Sequence, residues 1–136
     1  KMTELALKSL DEVVKRFPTS KYARDSKLKI ELTRDHLAGK EMNIGRYYLE
    51  RKQYLAAINR FQTVVDRYQT TTHVPESLHR LAEAYLSLGL TDQAQRTAAV
   101  LGHNFPGSEW YLDSYQVVEG KNLSQKEEEA PWYWPF

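Results

Sequence analysis

A set of large, small and aromatic residues recurs along this chain at one spacing, and that recurrence limits the fold more than any other feature. Ile44, Gly45, Tyr48, Lys52, Ala57, Ile58 and Phe61 are followed 37 residues later by Leu81, Ala82, Tyr85, Gly89, Ala94, Gln95 and Ala98. A unit of this length cannot bury its own apolar face, so it gains stability by stacking on its neighbours. Within each unit the apolar residues follow helical rather than strand spacing. Leu7, Leu10, Val13, Val14 and Phe17 form one i, i+3, i+4 stripe, and Ala57, Ile58, Phe61, Val64, Val65 and Tyr68 form another. Leu78, Leu81, Ala82, Tyr85 and Leu88 make a third, followed by Ala94, Ala98 and Leu101.

Helix ends are marked by residues that suit them. Ser20 is placed to cap a helix by accepting from an unpaired backbone N–H, Pro75 suits a first turn, and Gly89 suits a C-terminus. Thr91 and Ser108 are expected to cap the next two helices. No proline interrupts Lys21 to Lys52, where Ile30, Thr33, Leu37, Ile44 and Tyr48 keep a mostly apolar stripe. That stretch predicts one long helix around 21–52, or two helices broken near Gly39. Small residues at Gly45, Ala57, Ala82 and Ala94 would let paired helices approach closely, with Tyr48 and Tyr85 filling the space between pairs. Large, small and aromatic positions in a unit near the ~34 residues of the tetratricopeptide repeat (TPR) make the expected fold an all-α TPR helical-hairpin solenoid. The three additional residues are expected in the polar loop Gln69–Val74. Residues 1–120 read as the second helix of one repeat, about two full repeats and a final helix from Trp110 to about Glu119. Residues 121–136 read as a flexible acidic and aromatic tail ending Pro131-Trp132-Tyr133-Trp134-Pro135-Phe136. Two roles stand open for it: a tail without a partner, or an aromatic peptide that docks on a groove or a membrane interface.

The chemistry of enzymes and cofactors finds no foothold. There is no cysteine, so disulfides and thiolate metal sites are excluded. His36, His73, His79 and His103 show no metal-ligand spacing and read as surface or satisfied side chains, so neither metal nor cofactor is expected. Thr70-Thr71-Thr72 lacks an activating base placed by sequence, and Gly39 and Gly45 sit mid-helix rather than in a phosphate loop. The expected role is binding, not catalysis. No run of apolar residues approaches the ~20 needed to cross a bilayer, and Lys1-Met2-Thr3-Glu4 leads into an amphipathic pattern rather than a signal peptide. A net charge of +1 conceals an asymmetry: residues 1–60 carry 14 Lys/Arg against 8 Asp/Glu, and residues 61–136 carry 5 against 10. Such a division can steer the encounter with a charged protein. Nucleic acid is not an expected partner, because the basic residues alternate with acids and no stacking platform accompanies them.

Several segments carry more than a generic repeat. Arg16-Phe17-Pro18-Thr19-Ser20-Lys21-Tyr22, Leu32-Thr33-Arg34-Asp35-His36-Leu37-Ala38 and Glu41 through Tyr47-Tyr48-Leu49-Glu50-Arg51 belong together. With Tyr54-Leu55-Ala56-Ala57-Ile58-Asn59-Arg60-Phe61, Asp66-Arg67-Tyr68, Glu83-Ala84-Tyr85 and Ala94-Gln95, the chain resembles the BamD family of outer-membrane assembly lipoproteins over roughly residues 7–105. The resemblance implies a periplasmic lipoprotein of five repeats, held at the inner face of the outer membrane by a lipidated N-terminal cysteine upstream of this chain. It also implies that the present chain is the C-terminal portion, docking the POTRA domain of BamA nearest the barrel. Other lipoproteins of the BAM complex, and unfolded outer-membrane proteins meeting the full-length protein, would be further partners. By that resemblance Arg60 is the expected charged contact to BamA, with Tyr47, Arg51 and Arg67 as further candidates. The alternatives are a generic TPR adaptor or co-chaperone, clamping a ligand carboxylate through Lys40, Arg46 and Arg80, and a pilus-assembly lipoprotein of the same fold.

Overall fold

The computed structural model describes residues 2–16 and 20–129, with side chains for 3–16 and 20–120. Among the described residues all regular structure is helical: α1 (Met2–Arg16), α2 (Lys21–Glu50), α3 (Tyr54–Arg67), α4 (Val74–Ser87), α5 (Thr91–Asn104) and α6 (Glu109–Glu129). Consecutive helices pack against each other, and α6 also packs back on α4. The result is the expected helical-hairpin stack.

The long helix is continuous. Ser20 Oγ accepts from the Ala23 N–H at 3.0 Å to start it, and Gly39 passes through its middle without a break. Its buried face explains why it needs to be one rod. Ala23, Ser26 and Ile30 are buried in the first half, and Ala38, Met42 and Gly45 in the second. At 100° per residue the stripe swings by roughly 90° between the two sets. The helix packs on both α1 and α3, so it belongs to two successive hairpins.

The repeat holds down to individual backbone bonds. At the end of α2 the Lys52 N–H donates to Leu49 O at 3.0 Å, and Gln53 N–H to Tyr48 O at 2.9 Å. Thirty-seven residues on, Gly89 N–H donates to Leu86 O at 3.0 Å and Leu90 N–H to Tyr85 O at 2.8 Å. Both turns pass through positive φ, at Lys52 (62°) and Gly89 (79°). The match continues with Tyr68 N–H to Val64 O and Phe105 N–H to Leu101 O, then Thr71 N–H to Tyr68 O and Ser108 N–H to Phe105 O. Because Gln53 and Leu90 are held by these turn bonds, they take the N-cap positions of α3 and α5. Thr91, expected to cap α5, is its first helical residue, and α5 has no side-chain cap. Ser108 does precede α6, its hydroxyl accepting from the Trp110 N–H at 3.2 Å. After the matched turns α4 begins two residues later than α6 does, so against the following unit the loop carries two additional residues, Thr72 and His73, where three were expected.

The main core lies between α2, α3 and α4. Met42, Ala57, Phe61, Val64, Leu78, Leu81 and Leu101 are buried together, with Tyr48 and Tyr85 partly buried against them. Phe61 fits because residue 45 is glycine: a Cβ there would stand 2.5 Å from the Phe61 ring. The same hollowing recurs where Gly102 faces the ring of Tyr111. Ser77, fully buried on α4, donates to the Phe61 carbonyl at 2.6 Å, so the position also ties α3 to α4.

The last helix differs from expectation. It runs through Gly120 to Glu129 rather than stopping near Glu119. The segment 121–129 contains Lys, Leu, Gln and Glu, all good helix formers, and a mid-helix glycine costs only about 1 kcal/mol. The tail expected over 121–136 therefore begins as helix, and residues 130–136 lie outside the described residues.

Gly45→Ala should lower stability by about 1–3 kcal/mol in urea unfolding, because overpacking against Phe61 outweighs alanine's better helix propensity. Gly120→Ala, whose Cβ would meet nothing within 4 Å, should be neutral or stabilising by up to about 1 kcal/mol.

Candidate protein-binding surface

The four residues singled out in the sequence fall on the first full hairpin, α2–α3. Arg51 lies over the ring of Tyr47, its guanidinium carbon 4.4 Å from the centroid, and Tyr47 meets Tyr48 edge-on at 5.6 Å. Tyr48 reaches into the core, so the exposed Tyr47–Arg51 stack stands on a fixed base. Arg60 is on the neighbouring helix and is held by Glu41 of α2 at 3.1 Å, its side chain 41% exposed. Arg67 is exposed two helical turns further on, on the same side of α3 as Arg60. Glu41 and Tyr47 are about 120° apart around α2. The structure thus brings Tyr47 to Arg51 and gives Arg60 an anchor, and it separates these two groups on different faces of the hairpin.

The repeat gives these residues a second reading. In the second unit the equivalent positions hold Ala84, Leu88, Thr97 and Asn104. Stacking of the helices therefore requires neither the aromatic nor the arginines. They are additions to the scaffold.

The cations expected of a carboxylate clamp are engaged elsewhere. Arg46 makes a two-oxygen contact to Glu76 of α4 at 2.7 and 2.8 Å and also reaches Asn43. Arg80 pairs with Glu76 and Glu83 and lies over Trp110 at 5.5 Å. Lys40 alone of the three is exposed and, among the described residues, outside any ion pair. The clamp reading loses two of its three groups to the helix stack.

Two polar networks escaped the sequence reading. The first fastens the inserted loop to the long helix. Asp35 Oδ1 accepts from the Thr72 N–H at 2.9 Å and the Thr72 hydroxyl at 2.7 Å, while Oδ2 faces His73 Nε2 at 3.3 Å. These bonds to Thr72, led by the backbone N–H, hold the Asp35 carboxyl below the usual carboxylate range against a small opposing effect of burial. The second joins α4 to α6. His79 is buried, with Nδ1 2.6 Å from Ser114 Oγ and Nε2 donating to Glu83. Burial works to raise the Glu83 carboxyl, but the bond from His79 and the nearby Arg80 outweigh it and hold the carboxyl low. A serine, a histidine and a carboxylate in a row suggest nucleophilic chemistry, yet Ser114 is fully buried and no substrate atom can reach it. The i, i+4 spacing of His79 and Glu83 was the available signal, and Ser114, 35 residues away, gave none.

Among the described residues no group of three His, Cys, Asp or Glu side chains could hold a metal, and no helix is long and apolar enough to cross a membrane. What the hairpin offers is an exposed cationic and aromatic surface on a rigid support.

Known proteins put these features in context. The family model YfiO, outer membrane lipoprotein, matches residues 1–118. An outer membrane protein assembly factor BamD from Caulobacter vibrioides is 54% identical over 121 residues, covering 89% of this chain and 40% of the relative. Its namesake from Rickettsia prowazekii is 54% identical over 117 residues, covering 86% and 47%. The Neisseria meningitidis serogroup A protein of the same name is 39% identical over 131 residues, covering 95% and 45%. The chain spans less than half the length of these relatives.

Asp35 and Glu83 both have lowered carboxyls, so each contributes stability above its unfolded value and loses it as pH falls through the lower folded one. Asp35→Asn should cost about 1 kcal/mol at pH 7, the size of a partly exposed charge-assisted bond. The gap between the urea midpoints of the two proteins should narrow as pH falls through the lowered Asp35 carboxyl, because protonating it removes the advantage that Asn lacks.

Proposed function

Since the chain belongs to the YfiO family of outer membrane lipoproteins, we propose that it is the C-terminal scaffold of an outer-membrane assembly factor, docking the POTRA domain of BamA nearest the barrel through its α2–α3 hairpin. The observation that carries this reading is the set of exposed Tyr47, Arg51 and Arg67 and half-buried Arg60 on one hairpin, at positions where the second unit holds Ala, Leu, Thr and Asn. Residues that a repeat does not need, on a surface it does not bury, are the natural place for partner-specific contacts. Arginine and tyrosine are also the residue types enriched in such contacts, while lysine is depleted.

Arg60 has the most defined role in this reading. Glu41 holds its guanidinium in place while leaving it 41% exposed, so a partner carboxylate can meet a cation that has already lost part of its freedom. Placement at the periplasmic face of the outer membrane by a lipid anchor of the full-length protein, supported by the family's description as an outer membrane lipoprotein, is part of the same proposal. So are further lipoproteins of the complex and unfolded outer-membrane proteins as partners of the full-length protein. The generic adaptor reading is weaker because Arg46 and Arg80 are tied into the stack. The pilus-assembly alternative finds no support in relatives that are all named as outer membrane assembly factors.

Arg60→Glu should weaken binding to the periplasmic region of BamA by roughly 10- to 100-fold, as for a partly desolvated charge contact, with an unchanged helical spectrum. The substitution also sets a second carboxylate against Glu41, so the exchanged pair Glu41→Arg with Arg60→Glu is the necessary companion. It should restore thermal stability and leave binding weak. Binding at the wild-type level in both variants would count against the reading.

A further inference from the structure

Beside the Tyr47–Arg51 stack lies an open hollow of about 300 Å³ lined by Lys52, Gln53, Tyr54, Leu55, Ala56 and Leu88. It forms where the two equivalent turns of the stack, α2–α3 and α4–α5, come side by side. We propose that this hollow is the apolar half of the docking surface, receiving an apolar side chain of the protein partner whose neighbouring carboxylate meets Arg51 and Lys52. The inference rests on the α2–α3 docking reading above and names the chemistry of what docks there.

Three observations carry it. Leu55 (73% exposed) and Leu88 (39% exposed) come from different turns and line the same hollow, so they form one adjoining apolar patch and not isolated surface leucines. The turn itself does not call for a leucine: the residue equivalent to Leu55 in the second unit is Asp92, in the same backbone geometry. Second, Lys52 occupies a φ of 62° where the equivalent residue is Gly89 at 79°. A side chain held in a conformation that favours glycine has been kept at some cost, which is characteristic of residues that work.

Third, the charges favour an acidic neighbour. Among the described residues Arg51 and Lys52 are exposed and neither is in an ion pair; Arg51 rests on Tyr47. The acids Glu50 and Asp92 are exposed, and neither forms an ion pair with Arg51 or Lys52. Lys52 at the hollow's edge, with Arg51 next to it in sequence, complements an apolar side chain flanked by a carboxylate.

The chain supplies its own conservative variant. Leu55→Asp copies Asp92 of the second unit, so the turn should form and the thermal midpoint should hold. Affinity for the BamA periplasmic region should fall at least tenfold. Lys52→Gly copies Gly89 and should raise the thermal midpoint while lowering affinity at least threefold, a combination that a purely structural role would not produce. If Arg60→Glu weakens binding and both of these variants bind as the wild type does, the hollow is not part of the interface and the docking reading stands. If the wild-type chain shows no affinity for BamA, the docking reading fails and this inference with it.

Discussion

Phe61 can lie between α2, α3 and α4 only because residue 45 has no side chain, and the arrangement of the whole stack follows from that contact. With Cβ absent, the backbones of α2 and α3 approach closely enough for the ring to be fully buried. Ser77 then fixes α4 against the Phe61 carbonyl, and α4 in turn carries α5 and α6. The contact also sets where the surface goes. Arg60 precedes Phe61 and Tyr47 precedes Tyr48, so the inward aromatic of each pair aims its neighbour outward with no loop flexibility in between. A surface built in this way is rigid, and rigidity would lower the ordering cost of the proposed association.

The same repeat explains what could be read from the sequence and what could not. Helices and hairpin pairing were legible because burial imprints a 3.6-residue period and the 37-residue shift aligned the turns as well as the faces. That shift even set Lys52 against Gly89, which held the clue to a positive φ at a lysine. Thr91 misled because a good capping residue sits one position inside a helix whose start is dictated by the turn bonds of Leu90. The end of α6 misled because Gly120 resembles a stop, while the helix formers after it outweigh a single glycine.

Side-chain partnerships were the hidden part. Asp35 with Thr72, Arg46 with Glu76 and His79 with Ser114 each join residues about one repeat apart, on elements that meet only after stacking. No local pattern encodes them. They matter to function by subtraction: Arg46 and Arg80 are consumed by the scaffold, and Arg60 is anchored but still accessible. The distinction between scaffold and surface cations lies in the ion pairs, not in residue type. It also explains why a formal net charge of +1 says little about which cations remain accessible.

In the proposed docking, the exposed faces of the first full hairpin and the turns beside them meet the partner, not a groove lined by the engaged arginines. Amide hydrogen exchange of the chain with and without the periplasmic region of BamA tests this most directly. Exchange should slow over residues 47–60 and at the adjoining turn 88–90, with little change around Arg46, Glu76 and Arg80. Protection centred on Glu76 to Glu83, with the 47–60 segment unaffected, would contradict it.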